Sequence, residues 1–468
     1  MQLLIGGGAA GTTLLSADYC QNDRRWPWGD PGGEGRWALA EAPMARGRVF
    51  AAILIAVALG VAAVVALVWK PRIDPVKQDQ AQTFDPTTVT RGSELAALGN
   101  CVVCHTASGG KSYAGGRPIP TPFGTIYSTN ITPDRDTGIG EWSEAAFRRA
   151  LRVGVDRAGE HLYPAFPYDH FTRLTDGDIR ALYAFVMTRS AVRNQPPPNQ
   201  LPFPFNIRPL LAGWKLLYLR KGPVEADTKQ SADWNRGAYL VEGIAHCGAC
   251  HTPRNALGAE QKSRAYAGGD GEGWDAPALD ASSPAPVPWT ADALFAYLRS
   301  GWQHQHGASA GPMEPVTRNL ATVSEADVRA IAVYVAGLSR DRNTVTPPTP
   351  GKPDPAQADT PRATSAAIYA GACAVCHDKP AGAASEATSL TLSSSLRLQR
   401  PRNALNAIVH GIARPLGASG PFMPAFGTTL TDQQIADLTN YIRARFGGAA
   451  AWGDVQGDLQ KIRNGDPS

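Results

Sequence analysis

The sequence predicts an all-α fold, with three tandem helical domains behind one N-terminal transmembrane helix. A five-residue pattern, Cys-x-x-Cys-His, occurs three times in the 468 residues. Segments with helical periodicity recur in the same order around each copy, which indicates a repeated domain. A 21-residue run without a charged residue precedes all three copies and is long enough to cross a membrane.

The N-terminal stretch, residues 1–43, shows no helical or strand period and is rich in Gly, Trp and Arg. Met44 opens a short basic stretch, Met-Ala-Arg-Gly-Arg, that is typical of the start of a membrane anchor. We therefore expect translation to begin at Met44, with residues 1–43 a non-native or disordered extension. Within it, Gly6, Gly8 and Gly11 match a dinucleotide-binding pattern, but the strand–helix–strand unit that this pattern requires does not follow.

The uncharged run Val49–Trp69 predicts a transmembrane helix within an anchor that spans residues 44–72. Its 21 residues would rise about 31 Å as a helix, enough for the hydrocarbon core of a bilayer. A cleaved signal peptide is the alternative, but its apolar core is usually about 7–15 residues and ends at a small-residue cleavage site. No such site precedes Lys70, so we expect the anchor to be retained.

Each Cys-x-x-Cys-His motif presents two thiols and one imidazole within five residues. A zinc site would need two such pairs folded onto one ion, yet the copies lie 146 and 126 residues apart and each has its own histidine. A redox dithiol needs neither the histidine nor the repetition. The pattern fits covalent attachment of c-type haem, in which two cysteines form thioethers and the histidine binds iron. We predict three covalently bound haem c groups, held by Cys101, Cys104 and His105, by Cys247, Cys250 and His251, and by Cys373, Cys376 and His377.

Each motif occupies the same place in a repeated unit. The unit opens with a short apolar segment, continues through a Gly- and Pro-rich loop and an amphipathic stretch, and closes with a helix that begins at a capping signal. The predicted N-caps of the closing helices are Thr175, Ser324 and Thr431. A small helical unit packed around a haem is the plan of a class I cytochrome c domain.

Composition shifts set the domain boundaries. Residues 201–224 form an apolar and aromatic connecting strap, which we expect to pack on the core rather than to serve as a docking surface. Residues 343–362 form a Pro-rich linker, which favours an extended spacer. The predicted cytochrome c domains and the C-terminal tail are then residues 85–200, 225–342, 363–448 and 449–468.

The sixth iron ligand is predicted from loops that precede the closing helices. A methionine there raises the reduction potential and closes the iron, whereas an open position suits substrate binding. Met313 and Met423 lie 11 and 8 residues before their N-caps, so we expect both to bind iron.

The first unit breaks this pattern. Phe166 stands 9 residues before Thr175, where the other units have methionine, and phenylalanine cannot bind iron. His161, His170 and Met187 are the alternatives, together with an open or water-bound iron.

Four stretches together resemble the triheme cytochrome c subunit of bacterial membrane-bound dehydrogenases: HLYPAFPY, LTDGDIRALYAFVMTR, LPFPFNIRPLLAGWKLLY and HCGACHTPRN. That family includes the cytochrome subunits of alcohol, gluconate and fructose dehydrogenases and those that serve molybdenum aldehyde or N-heterocycle hydroxylases. The resemblance covers roughly residues 85 to 448. Many members have methionine where this chain has Phe166, so the ligation of the first haem does not carry over.

The resemblance implies an electron-transfer subunit of a membrane-bound periplasmic dehydrogenase complex. A separate catalytic subunit of molybdopterin, PQQ or flavin type would oxidise an alcohol, aldehyde or N-heterocycle, and ubiquinone or a terminal oxidase would accept the electrons. This chain would then contribute no catalytic residues and no organic-substrate site of its own. Haem attachment is expected outside the bacterial cytoplasm, which places the haem domains in the periplasm and the anchor in the inner membrane.

Two other functions remain open from the residues alone. One is a stand-alone haem enzyme that uses an open first haem, and the other is an accessory cytochrome of a terminal oxidase. A nucleic-acid partner is not expected, because the net charge is only +4 and 18% of residues are charged.

Overall fold

A computed structural model describes residues 43–77, 83–339, 361–378, 389–414 and 422–465. The predicted extension, apart from Pro43, lies outside the described residues, as does the Pro-rich linker, apart from its last two residues. The chain divides after Ala62 into two compact units, and every element after the first helix belongs to the second unit.

The first element is a 26-residue helix, α1 (Pro43–Val68). Its segment Gly47–Val68 has a mean hydropathy of 3.0 and is the one helix in the described part of the chain that is long and apolar enough to span a membrane. Side chains 47–66 are all exposed, as expected of a helix that faces lipid.

The region around the first motif is mainly helical. Asp85 caps its first helix by accepting a hydrogen bond from the Thr88 amide at 3.1 Å. Thr175 caps its closing helix, as predicted, by accepting from the Asp178 amide at 3.1 Å. The elements are α2 (Pro86–Leu98), α3 (Cys101–Cys104), β1 (Pro118–Thr121), β2 (Gly124–Tyr127), α4 (Glu144–Val153), α5 (Tyr168–Phe171) and α6 (Asp176–Met187).

The strap contains a short 3-10 helix, Arg208–Leu210, and one α-helix, α7 (Leu211–Tyr218), and the region around the second motif follows. The predicted N-cap Ser324 accepts from the Asp327 amide at 3.3 Å. The elements of this region are α8 (Ala232–Glu242), α9 (Gly248–His251), β3 (Gly269–Gly271), β4 (Trp274–Ala276), α10 (Ala291–Ser300), β5 (Trp302–Gln303), β6 (Gly307–Ala308), α11 (Met313–Leu320) and α12 (Glu325–Leu338).

The region around the third motif contains a helix that the sequence did not predict. Thr431 forms a reciprocal capping box with Gln434 at the start of the closing helix. The predicted tail contains an additional helix, whose Val455 and Leu459 are buried. The helices are α13 (Pro361–Ile368), α14 (Ala374–His377), α15 (Arg402–His410), α16 (Asp432–Ile442) and α17 (Val455–Asn464).

The strands form three separate two-stranded antiparallel sheets, β1–β2, β3–β4 and β5–β6. They were not predicted, because each strand is only two to four residues long. The fold is therefore largely helical, with short hairpins in the loops that follow the first two motifs.

Two hydrophobic cores lie in the described part of the second unit. One core joins the first two motif regions, from Leu95 to Val335, and the other belongs to the third region, from Tyr369 to Leu459. Arg91 of α2 contacts Asp327 of α12 at 3.3 Å across the first two regions. Each of these small regions thus gains apolar burial by sharing a core with its neighbour.

Candidate functional site

Each motif lies on a short helix, so its two cysteines and its histidine fall within about one helical turn. Asn100 and His246 immediately precede the first two motifs and have positive φ values of 50° and 39°. This left-handed step turns the chain sharply from α2 into α3, and from α8 into the second motif.

Backbone carbonyl groups orient the first two motif histidines. His105 Nδ1 donates to Thr129 O, and His251 Nδ1 donates to Pro277 O, each at 2.7 Å. Both acceptors lie one or two residues after a hairpin, β1–β2 or β3–β4. With the proton on Nδ1, the Nε2 lone pair is available to a metal, which is the usual arrangement of a ligating histidine. Burial lowers the pKa of both imidazoles, which keeps them neutral.

The motif thiols do not resemble those of a redox enzyme. Burial raises the pKa of Cys101 and of Cys247 to about 12, and that of Cys373 to about 11. Reactive dithiols have the opposite shift, because a lowered pKa supplies the nucleophilic thiolate. The six motif cysteines are also free of disulfide bonds.

A cavity of about 480 Å³ joins the second and third motifs. Apart from the motif residues, most of the cavity lining is apolar, with leucine, isoleucine, alanine and proline side chains from both regions. Paired thiols and an imidazole at the wall of an apolar cavity suit a flat apolar macrocycle held by thioethers, so the residues present fit haem. Its lining includes Cys247, Cys250, His251, Cys373, Cys376 and His377.

Both predicted methionine ligands line this same cavity. Met313 is the first residue of α11 and is partly buried against the first core. Met423 pairs with Ile412 through two backbone hydrogen bonds of 2.9 and 3.1 Å, which fix its position. Iron ligation by either sulfur remains a prediction.

The first region has no methionine at the corresponding loop, and its structure explains what Phe166 does instead. The Phe166 ring packs edge-on against Phe171 and Tyr168, at 5.3 and 6.5 Å between centroids. It therefore contributes to the aromatic packing of the core. Met187, one of the alternatives, ends α6 and packs partly buried against the same core.

The two histidines that were considered for the first iron form hydrogen bonds elsewhere. His161 Nε2 lies 2.8 Å from Val68 O, and its Nδ1 lies 2.9 Å from Lys215 Nζ. Because Val68 O can only accept, His161 Nε2–H donates to it, and the neutral imidazole then accepts at Nδ1 from the Lys215 amino group. Both nitrogens of His161 are thus engaged by protein groups.

His170 is engaged in the same way. Its Nδ1 lies 2.9 Å from Glu242 O, and its Nε2 lies 2.6 Å from Glu260 Oε1. Burial opposes protonation, but the Glu260 carboxylate outweighs it and raises the pKa of His170. This buried pair joins the first region to the second. Sequence spacing gave no signal for it, because 90 residues separate the partners.

The β3–β4 hairpin connects the second site to the first. Arg117 donates to Val103 O within the first motif at 2.9 Å and pairs with Glu272 at the hairpin turn at 2.7 Å. Burial is the main reason that the pKa of the Cys250 thiol is raised, and Cys104 lies close enough to contribute. The Arg117 contacts therefore place the turn of the β3–β4 hairpin against the first motif.

The same hairpin connects the second site to the third. Asn403 of α15 accepts from the Asp275 amide and donates to Asp275 O, both at 2.8 Å. Arg400 forms ion pairs with Asp270 and with Asp275. The middle site thus contacts both of the others through one hairpin. The sequence offered no motif for these residues, because their role depends on contacts between distant segments.

Two protein-family models match parts of the chain. Residues 89–190 match the family described as Cytochrome c, and residues 361–442 match Cytochrome C oxidase, cbb3-type, subunit III. These ranges contain the first and third motifs, and the second motif lies between them.

Relatives extend the match across nearly the whole chain. A nicotinate dehydrogenase subunit of Pseudomonas putida is 45% identical over 412 residues, which cover 87% of this chain and 34% of the relative. This chain thus spans about a third of that relative's length. The fructose dehydrogenase cytochrome subunit of Gluconobacter japonicus is 37% identical, covering 81% of this chain and 83% of the relative.

A third relative is the Diheme cytochrome c-type protein of Cereibacter sphaeroides, which is 39% identical over 298 residues. That match covers 61% of this chain and 95% of the relative. With most of the fructose dehydrogenase subunit covered, and with cytochrome c matches at two motifs, the family is established. The chain belongs to the family of electron-transfer cytochrome c subunits of membrane-bound dehydrogenases.

Proposed function

We propose that the chain binds three haem c groups, one in each of three tandem class I cytochrome c domains at residues 85–200, 225–342 and 363–448. The cysteine pairs would form the thioethers, and His105, His251 and His377 would bind iron. The observation that carries this proposal is the orientation of His105 and His251 by carbonyl groups at 2.7 Å. A bound haem iron supplies one-electron exchange.

Met313 and Met423 are proposed as the sixth ligands of the second and third sites. Their place in the cavity that the two motifs line supports this assignment. The first site differs, because Phe166 packs into the core and the nitrogens of His161 and His170 have hydrogen-bond partners. Met187 or an iron without a sixth protein ligand remains for that site.

The second site is proposed as the middle member of a series. The pairing of Arg117 with Glu272 supports its proximity to the first site, and the shared cavity supports its proximity to the third. The chain's own residues would hold the three groups in fixed positions and exclude water from the sites around them.

The proposed partner is a catalytic dehydrogenase subunit of molybdopterin, PQQ or flavin type, with ubiquinone or a terminal oxidase as acceptor. The cofactor of that subunit would oxidise the organic substrate. The 45% identity to a nicotinate dehydrogenase subunit favours an N-heterocycle or aldehyde as substrate. Helix α1 would anchor the chain in the bacterial inner membrane, with the haem domains in the periplasm.

Copurification from detergent-solubilised membranes tests the partnership. We expect a second subunit to copurify, to contain molybdenum, PQQ or flavin, and to reduce the haems of this chain when its substrate is added. Isolation of the chain alone at every detergent concentration, with haems that no candidate substrate reduces, would contradict the proposal.

A redox titration of the same material tests the assignment of sixth ligands. We expect two haems at the higher potentials typical of methionine ligation and one haem that differs. Three indistinguishable high-potential transitions would contradict the distinct character of the first site. Peroxide turnover by the isolated chain would instead favour a stand-alone haem enzyme.

A further inference from the structure

In the strap helix α7, the distribution of polar and apolar side chains is the reverse of that expected for a helix on a water-exposed surface. Its buried positions are Ala212 and Lys215. Its outward positions include Leu216 and Leu217, which are 68% and 59% exposed. A surface helix normally buries its leucines and exposes its lysine.

The segment before α7 also carries exposed apolar side chains. Phe203 is 79% exposed and Leu210 is 57% exposed. Single apolar residues are normal on a protein surface, but several exposed ones within one short segment indicate a place where something other than water is contacted. We call this set the strap face; its members are Phe203, Phe205, Ile207, Leu210, Leu216 and Leu217.

The inward lysine holds the strap to the first domain. Lys215 Nζ donates to Gly154 O and to His161 Nδ1. Lys215 Nζ also lies 5.0 Å from the centre of the Tyr168 ring. The reversed polarity is therefore a built feature, because the buried lysine has specific partners while the leucines are left outside.

Helix α7, through its buried Lys215, lies close to the residue at which the proposed membrane span ends. His161, which accepts from Lys215, donates through Nε2 to Val68 O at 2.8 Å. Val68 is the last residue of α1, and the next residue, Trp69, is 66% exposed. Tryptophan at the end of a span marks the lipid–water interface. The His161 imidazole is thus the single group between the Lys215 amino group and Val68, the last residue of the proposed span.

We propose that the strap face inserts into the interfacial layer of the lipid bilayer and gives the first domain a second attachment to the membrane. This inference rests on the proposed function, in which α1 anchors the chain. An apolar face beside a basic segment is the pattern of a helix that lies in the membrane surface. Arg220 and Lys221, exposed just after α7, would contact anionic headgroups.

Lipid, rather than another protein, is the occupant that these contacts favour. The hydrogen bonds from Lys215 through His161 to Val68 hold α7 beside the residue at which the proposed span ends, and this position favours lipid as the occupant. A catalytic subunit or a second copy of this chain covering the strap would overturn the proposal, and the experiment distinguishes these outcomes.

Photo-crosslinking of the full chain tests the inference. The protein is reconstituted into vesicles of phosphatidylethanolamine and phosphatidylglycerol that carry a diazirine on one acyl chain, and adducts are mapped by mass spectrometry. We expect lipid adducts on α1 and on the strap. Phe422, which is 58% exposed in the third region, is the matched apolar control and should carry none.

A double substitution, Leu216→Gln with Leu217→Gln, should reduce strap adducts by roughly tenfold or more while α1 adducts persist, because burial of one leucine favours an apolar phase by about tenfold or more. Both side chains are exposed, so folding should be retained. Adducts on α1 but not on the strap would overturn this inference alone. Absence of adducts on α1 would instead overturn the anchor, and protein cross-links from the strap would identify a protein occupant.

Discussion

At the scale of single residues, the chemistry of each site depends on which side chain lies opposite the motif histidine. Met313 and Met423 line the cavity of the second and third sites, whereas the corresponding Phe166 packs against aromatic rings. A thioether ligand raises the reduction potential and closes the iron to small ligands.

Substitution of Met423 tests the assigned ligand at the third site. In Met423→Ala the iron is expected to bind carbon monoxide and its potential to fall on the order of 0.1 V, a fraction of the range that axial ligands span. Leu257→Ala, at an exposed residue outside the cavity lining, is the control and should change neither property. An unchanged potential and Soret spectrum in Met423→Ala would contradict ligation.

Lys215 is expected to make the stability of the protein depend on pH. Burial lowers its pKa from 10.5 to about 7, with smaller effects from nearby lysines. Between these values the unfolded chain binds a proton that the folded chain does not, so stability should rise with pH across the window. Below about pH 7 the folded chain carries the charge of Lys215 in a buried position. This burial lowers the free energy of unfolding by on the order of a few kcal/mol.

Lys215→Met is therefore expected to flatten the rise of melting temperature between pH 7 and pH 10. The control is Lys229→Met, at an exposed lysine, which should keep the wild-type slope. Equal slopes in both variants would show that Lys215 is not the titrating group.

At the scale of elements, a glycine in each of the first two units allows two helices to cross closely. A Cβ at Gly92 of α2 would lie 1.9 Å from Ala181 O of α6. A Cβ at Gly237 of α8 would lie 2.0 Å from Ala330 O of α12. Because backbone cannot give way as a flexible side chain can, each crossing requires glycine.

Gly92→Ala is expected to destabilise the fold by about 1–3 kcal/mol or more through overpacking. Gly213→Ala is the matched control in another helix, where no heavy atom lies within 4 Å of the added methyl group. It should be neutral or stabilising by up to about 1 kcal/mol, since alanine favours helix. Thermal melting followed by circular dichroism measures both, and equal melting temperatures would refute the close-crossing argument.

Helix α15 docks on the β3–β4 hairpin through Asn403, which makes two 2.8 Å hydrogen bonds to the Asp275 backbone. Asn403→Ala should cost about 1–3 kcal/mol, because buried backbone groups lose their partners. Asn406→Ala removes one longer bond of 3.2 Å and should cost less. Hydrogen exchange at the Asp275 amide reports the docking, and unchanged protection in Asn403→Ala would contradict it.

The closing helices could be predicted from sequence because their caps are local. Thr175, Ser324 and Thr431 each accept a hydrogen bond from an amide three residues later. The hairpins could not, because strands of two to four residues are too short to carry an alternating pattern. The shared core of the first two regions was also not predictable, since an apolar helix face does not specify its partner.

At the scale of the whole molecule, the motifs are predictable and their surroundings are not. Two cysteines and a histidine in five residues indicate haem attachment wherever they stand. The carbonyl groups of Thr129 and Pro277, which orient His105 and His251, carry no sequence signal because any residue has a carbonyl. The Arg117–Glu272 pair joins residues 155 apart, and only the fold brings them together.

The central claim is that one chain holds three covalently attached haem groups. The most direct measurement is the intact mass of the purified protein in denaturing solvent, which removes any group that is not covalently bound. We expect a mass that exceeds the polypeptide by three haems. An excess of only two haems, as the name of the diheme relative would lead one to expect, would contradict it.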